Sequence, residues 1–218
     1  MNPIKKITFA LAAAAAAGAL HAQQTPVVPS AADYPGVLGQ SYTDLSFGVQ
    51  DLRNTSDNAL DATLRGNIPV STNVDLGLGY SYNWIHGHSG NHSHLLATDA
   101  KFYAPMENHM KPFIGGLVGY QWARTRFDNQ FPIISTTNDR FVWGVNTGIE
   151  MPVGSVSLTP HVGYIDTMEN NSIGHYNYGV EAHHWFSSGL GGYADVSYND
   201  LRRQENTWTY LVGLRVRY

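Results

Sequence analysis

Four histidines fall within nine residues, His86, His88, His92 and His94, in the run Ile-His-Gly-His-Ser-Gly-Asn-His-Ser-His. Neutral imidazole is a ligand for zinc, copper and nickel, and two His-x-His pairs about a flexible centre could close around one ion. No cysteine or carboxylate in the run completes a familiar site, and a polar surface loop rich in histidine reads the same way. A second group, Glu181, His183 and His184 with His175 and Ser172, is the nearest the chain comes to hydrolytic machinery. It offers no set of nucleophile, base and orienting group, so an enzyme is not expected.

These side chains sit on elements with a period of two. Counting back from the end, Tyr218, Val216, Leu214, Val212 and Tyr210 alternate with Arg217, Arg215, Gly213 and Leu211. A strand sends alternate side chains to opposite faces, so one face here is apolar and the other carries two arginines. The same alternation recurs from residue 40 onward and predicts about ten strands, near 40–51, 60–68, 74–84, 94–103, 112–123, 140–151, 156–164, 176–183, 193–198 and 208–218. The third is the clearest, with Val74, Leu76, Leu78, Tyr80, Tyr82 and Trp84 against Asp75, Gly77, Gly79, Ser81 and Asn83. The fourth and ninth are the weakest, which leaves eight strands with longer loops as the alternative count.

Link lengths alternate too. Short turns follow the even strands, and longer polar links, including 124–139, follow the odd ones. Transmembrane barrels have this asymmetry, with apolar residues facing lipid and polar ones facing the lumen. Aromatic residues fall near the strand ends, where interfacial girdles would lie: Trp84, Trp122, Tyr164 and Tyr198 by the longer links, and Phe102, Phe113, Trp185, Phe186 and Tyr218 by the turns. A soluble β-sandwich would not account for charges that keep so consistently to one face.

At the start, Lys5 and Lys6 precede an alanine-rich apolar run from Ile7 to Leu20, and Ala22 closes a small-residue site. Residues 1–22 therefore read as a cleaved signal peptide, 23–39 as a mobile, proline-containing lead-in, and 40–218 as the barrel. The apolar run is shorter than the roughly 20 residues a helix needs to span a bilayer. With 0 cysteines, no disulfide holds an exported chain together. Lys and Arg total 13 against 17 Asp and Glu, and losing Lys5 and Lys6 leaves 11 against 17, or −6, which excludes a basic nucleic-acid surface. Charged residues make up only 14% of the chain and aromatics 12%, and the mean hydropathy is negative, which excludes a bundle of transmembrane helices.

The terminal aromatic with Tyr210, Val212, Leu214 and Val216 before it resembles the closing strand of bacterial outer-membrane β-barrels. Over 40–218 the pattern is similar to the small OmpA-, OmpX- and opacity-type barrels. The resemblance implies an all-β, antiparallel up-and-down barrel in the outer membrane of a Gram-negative-type bacterium. It also implies that the last strand is read by the barrel-assembly machinery, and that outer-membrane lipid and lipopolysaccharide are partners. A structural or surface-interaction role through the external loops is expected, with a small porin-like channel as the alternative; neither needs a cofactor.

The inward face would then hold Asp44, Asp61, Asp75, Asp99, Glu150, Glu181 and Asp195 with Arg65, Lys101, Arg140, Arg215 and Arg217, joined by His161 and His183. A barrel of eight to ten strands is only just wide enough for its own side chains, and buried charges must be paired. A salt-bridge network that fills the lumen is expected. Arg124, Arg126 and Arg140 would lie near the outer mouth, where anionic lipopolysaccharide headgroups are their expected partners.

Overall fold

The computed structural model describes residues 35–51, 58–85, 90–127, 134–169, 174–200 and 206–218, and among these described residues the alternation of apolar and polar side chains produces ten strands and no helix. They are β1 (Tyr42–Asp51), β2 (Asn58–Ser71), β3 (Val74–Ile85), β4 (His92–Tyr103), β5 (Lys111–Phe127), β6 (Ile134–Val153), β7 (Val156–Thr167), β8 (His175–Trp185), β9 (Leu190–Asp200) and β10 (Thr207–Arg217). Each strand pairs antiparallel with its neighbours in sequence, and β1 pairs with β10, from Tyr42 opposite Arg217 to Asp51 opposite Trp208. Closure leaves no edge strand to template aggregation. The chain is an up-and-down barrel of ten strands, not eight.

The wall faces outward with its apolar side. Phe47, Leu64, Ile114, Val118, Phe141, Val180 and Val212 are all exposed, while Asp44, Ser46, Asp75 and Glu150 on the alternate positions are buried inside. The C-terminal residues Tyr210, Val212, Leu214, Val216 and Tyr218 are exposed on that outer wall. Turns at one end are short: Thr72 and Asn73 join β2 to β3, and Gly154, at φ +63°, and Ser155 join β6 to β7. The first and last barrel residues lie at this short-turn end, where the Tyr218 amide donates to the Ser41 carbonyl at 3.2 Å.

Two expectations need correction here. The link expected over 124–139 is mostly sheet, because β5 and β6 are 17 and 20 residues long and stay in register to Phe127 opposite Ile134. Ladder hydrogen bonds join backbones, so a hairpin can extend beyond the apolar wall without apolar side chains. Phe113 and Trp185 do not belong to the outer girdle. They face the lumen, which at the short-turn end holds a piece of chain that packs against them.

Candidate functional site

That piece is Pro35–Gly39, the end of the segment expected to be a mobile lead-in; residues 23–34 and the expected signal lie outside the described residues. It enters the floor of the lumen and turns. The Gln40 amide donates to the Val37 carbonyl at 3.1 Å, and Gly39 takes φ +84° at the position where a type II turn requires it. Barrel side chains then meet its backbone atom by atom. Glu150 accepts from the Val37 amide at 2.6 Å and the Leu38 amide at 3.3 Å, and Asp75 accepts from the Gly39 amide at 2.9 Å. Lys111 donates to the Leu38 carbonyl at 2.6 Å, Asn67 to the Gln40 carbonyl at 2.9 Å, and Trp185 to the Gly36 carbonyl at 3.3 Å. His183 Nδ1 lies 3.0 Å from the Pro35 carbonyl. Leu38 packs against Tyr103 and Phe113 in the core cluster of the barrel. Buried backbone polar groups must be paired, and here side chains do the pairing. Carboxylates and amides far away in sequence thus replace the water that these five residues would otherwise bind.

Above this floor runs a belt of charge. In register, Asp44 on β1 faces Arg215 on β10 and Arg65 on β2. Arg215 lies 3.2 Å from Asp44 and 3.2 Å from Glu181 on β8, and Arg65 lies 2.8 Å from Asp99 on β4. Lys101 follows Asp99 on the same face, its ammonium 5.6 Å from the centre of the Phe113 ring. Glu181, Arg215, Asp44, Arg65, Asp99 and Lys101 thus alternate in sign along an arc that spans seven of the ten strands, from β8 round to β4, and sum to zero. Arg215 is also held between the rings of Tyr42 and Tyr193, at 4.4 and 4.3 Å. Cations sandwiched by π faces gain most where water is excluded.

Arg65 can reach Asp99 only because β3 between them presents glycine, Gly79 opposite Arg65 and Gly77 opposite Asp99. A Cβ on Gly77 would overlap the Asp99 carboxylate. Gly77→Ala is therefore expected to push that carboxylate off Arg65 and lower stability by about 1–3 kcal/mol, read as the urea midpoint of the refolded barrel. An unchanged midpoint would mean that the pair is not held by this gap.

Nearer the long-loop end the lining turns from ion pairs to weaker polar contacts. His161 stands 3.7 Å from Asp195, and Asp61 accepts from the Thr63 hydroxyl at 3.0 Å. Asn177, Asn199 and Thr209 form a chain of hydrogen bonds at 2.8 and 2.9 Å. Arg140 faces inward and donates to Gln121 at 2.7 Å, so it is not an outward headgroup ligand. Arg217 lies at the opposite rim, outside the belt. It donates to the Ser188 carbonyl at 2.8 Å and lies 4.6 Å from the Trp185 ring centre.

His86 and His88 lie outside the described residues. His92 and His94 belong to β4 and not to a loop, and they share the outer face with Trp84, Tyr82 and Trp122. Among the described residues no group of three or more His, Cys, Asp or Glu is placed to hold a metal ion. Glu181 and His183 are committed to Arg215 and to the Pro35 carbonyl, which leaves neither arranged as a general base.

No protein-family model matches the sequence, and no curated protein matches it. Solved structures do share the fold. The β domain of the Bordetella autotransporter Brka aligns at a TM-score of 0.50 and 11% identity, over 82% of this chain and 99% of that one. Neisserial surface protein A aligns at 0.44 and 10% identity, over 82% and 96%. An outer membrane channel from Pseudomonas putida F1 aligns at 0.46 and 8% identity, over 88% and 100%. What the chain shares with the Brka β domain is the fold, a closed antiparallel β-barrel.

Proposed function

We propose that this protein is an integral barrel of a bacterial outer membrane, anchored by its apolar wall and closed to solutes. Its long-loop end then serves as a surface platform for external ligands. The reading rests on one observation: nine of the ten strands expose large apolar residues on the outer face, and the belt charges that would suit water are paired inside. Export by residues 1–22, recognition of the last strand by the barrel-assembly machinery, and contact with lipopolysaccharide belong to the same reading. An isolated apolar wall of this extent in water would aggregate, whereas in hydrocarbon it needs no partner.

Val212 gives a sharp test, being 62% exposed in the middle of β10. On a lipid-facing wall, Val212→Arg is expected to destabilise the barrel by about 2–4 kcal/mol in bilayers. On a water-facing wall the same change stays within about 0.5 kcal/mol. Closure is tested by planar-bilayer recording after heat-modifiable gel migration confirms folding. Silence is expected, because the Pro35–Gly39 turn and the belt of charge lie one above the other in the lumen. Discrete, reproducible steps would overturn closure and favour the porin-like alternative.

A further inference from the structure

Above the belt of charge, toward the long-loop end, the side chains lining the lumen become small. Six strands turn glycine inward there: Gly48 on β1, Gly79 on β3, Gly119 on β5, Gly144 on β6, Gly163 on β7 and Gly179 on β8. A Cβ built at Gly48, Gly79 or Gly163 would first meet atoms of the adjacent strands, none closer than 3.2 Å. A narrow barrel with so small a lining has room for one small ligand. One side of this chamber is acidic. Along a single rung from β9 to β2 the inward residues are Asp195, Leu211, Gly48 and Asp61. Asp61 accepts from the Thr63 hydroxyl at 3.0 Å and has no cation beside it among the described residues. Asp195 faces His161, whose Nε2 lies 3.7 Å from the Asp195 Oδ2. His161 turns Nδ1 to the Thr159 carbonyl at 3.2 Å. A carbonyl only accepts, so in the neutral ring Nδ1 carries the hydrogen and Nε2 presents a lone pair to the carboxylate. The ring packs over Gly179, where an added Cβ would lie 2.7 Å from Nε2. Two acceptors 3.7 Å apart call for a donor that touches both.

We propose that this rung binds a short linear aliphatic diamine. One ammonium bridges Asp195 and the His161 Nε2, the other meets Asp61, and the methylenes between them lie along Leu211 and across the gap at Gly48. An ammonium has three donors and no acceptor, which suits a carboxylate and a bare imidazole nitrogen together. Its bonds to carboxylates are charge-assisted, and carboxylates held away from bulk water call for a cation. Neighbouring strands lie about 4.8 Å apart, so Asp195 and Asp61, three steps from each other, are separated by roughly 14 Å of wall before their side chains converge on the lumen. A compact monocation cannot serve both ends. Gly48 keeps the path between them open, since a Cβ there would stand 3.6 Å from that of Asp61 and 3.7 Å from that of Leu211. The site rests on the reading above of a lumen shut below and offered to external ligands at the long-loop end.

The test is calorimetric titration of the refolded full chain, in neutral detergent at low salt, with putrescine, cadaverine or butylamine. One saturable site for the diamines is expected, about tenfold weaker for Asp61→Asn and for Asp195→Asn, each of which removes a charge-assisted contact. Butylamine, with a single ammonium, is expected to bind the wild type about tenfold more weakly than putrescine. Glu107→Gln, which neutralises an exposed carboxylate between β4 and β5, is expected to bind as wild type does. Equal affinity for butylamine and the diamines overturns the site. So does diamine affinity unchanged in both aspartate variants with normal heat-modifiable migration, which would report attraction to the acidic chain as a whole. If an aspartate variant does not fold, the comparison of putrescine with butylamine on the wild type decides. Absence of saturable binding in a wild type that is silent in the bilayer overturns the site and leaves closure standing, whereas discrete steps would remove the closed lumen on which the site rests.

Discussion

Arg215→Met is expected to destabilise the refolded barrel by about 3–5 kcal/mol, because it strands Asp44 and Glu181 without the cation both depend on. The side chains of Arg215 and Asp44 are each only 2% exposed, so water cannot take over. Arginine also fills the gap between Tyr42 and Tyr193, and methionine restores the volume but not the charge. The measurement is the urea midpoint in lipid, with heat-modifiable migration to confirm that the variant folds. Neutralising the anions as well, in Arg215→Met/Asp44→Asn/Glu181→Gln, is expected to recover most of the loss, since an unpaired buried charge costs more than an absent pair. A triple variant as unstable as the single one would show that packing, not charge, sets the value of this position.

Glu150→Ala is expected to release the lumen floor while leaving the wall in place. Glu150 is fully buried and accepts from two consecutive amides, and alanine leaves both donors without it. Hydrogen bonds to a charged group contribute about 1.5–3 kcal/mol each, so local opening of Pro35–Gly39 should become easier by about 3 kcal/mol. Amide exchange at Val37 and Leu38 would then quicken about a hundredfold, with exchange in β3 and β6 unchanged. Exchange that accelerates equally in the strands would mean that the segment is part of the barrel's cooperative unit and not a separable floor. The bilayer recording gains a second use here: steps in Glu150→Ala, against silence in the wild type, would show that the turn itself is what closes the lumen.

The wall was legible in the sequence because period two is a local property. The faces of β3 and β10 follow from counting, and the strand total follows from the spacing of turns. Contacts made across the lumen were not legible. Nothing in Pro35–Gly39 announces that Glu150, 112 residues past Leu38, will cap its amides. Composition showed only proline, glycine and small residues, which describe a free segment equally well. The misplacement of Phe113 and Trp185 has the same origin: an aromatic near a turn fits a girdle until something occupies the lumen beside it. Arg140 reads from the sequence both as an inward charge by parity and as a mouth residue by position, and its bond to Gln121 decides for the inward face. The hairpin of β5 and β6 was hidden because polar rungs carry no hydrophobic period, although their backbones pair as well as any. His92 and His94 looked like half of a loop because glycine and serine precede them, while their ladder partners Trp84 and Tyr82 lie on another strand.

The docked turn has a bearing on how the molecule is completed. Its contacts come from Asn67 on β2, Asp75 on β3, Tyr103 on β4, Lys111 and Phe113 on β5, Glu150 on β6, and His183 and Trp185 on β8. No sheet shorter than β2 to β8 presents that set. The earliest described residues can find their place only after most of the chain has been laid down and curved, so their docking acts as a logical conjunction over six strands. It rewards the finished barrel and gives nothing to a half-built one, which sharpens the all-or-none character of folding. Protection of the Val37 amide would then serve as a clock for the last step of assembly.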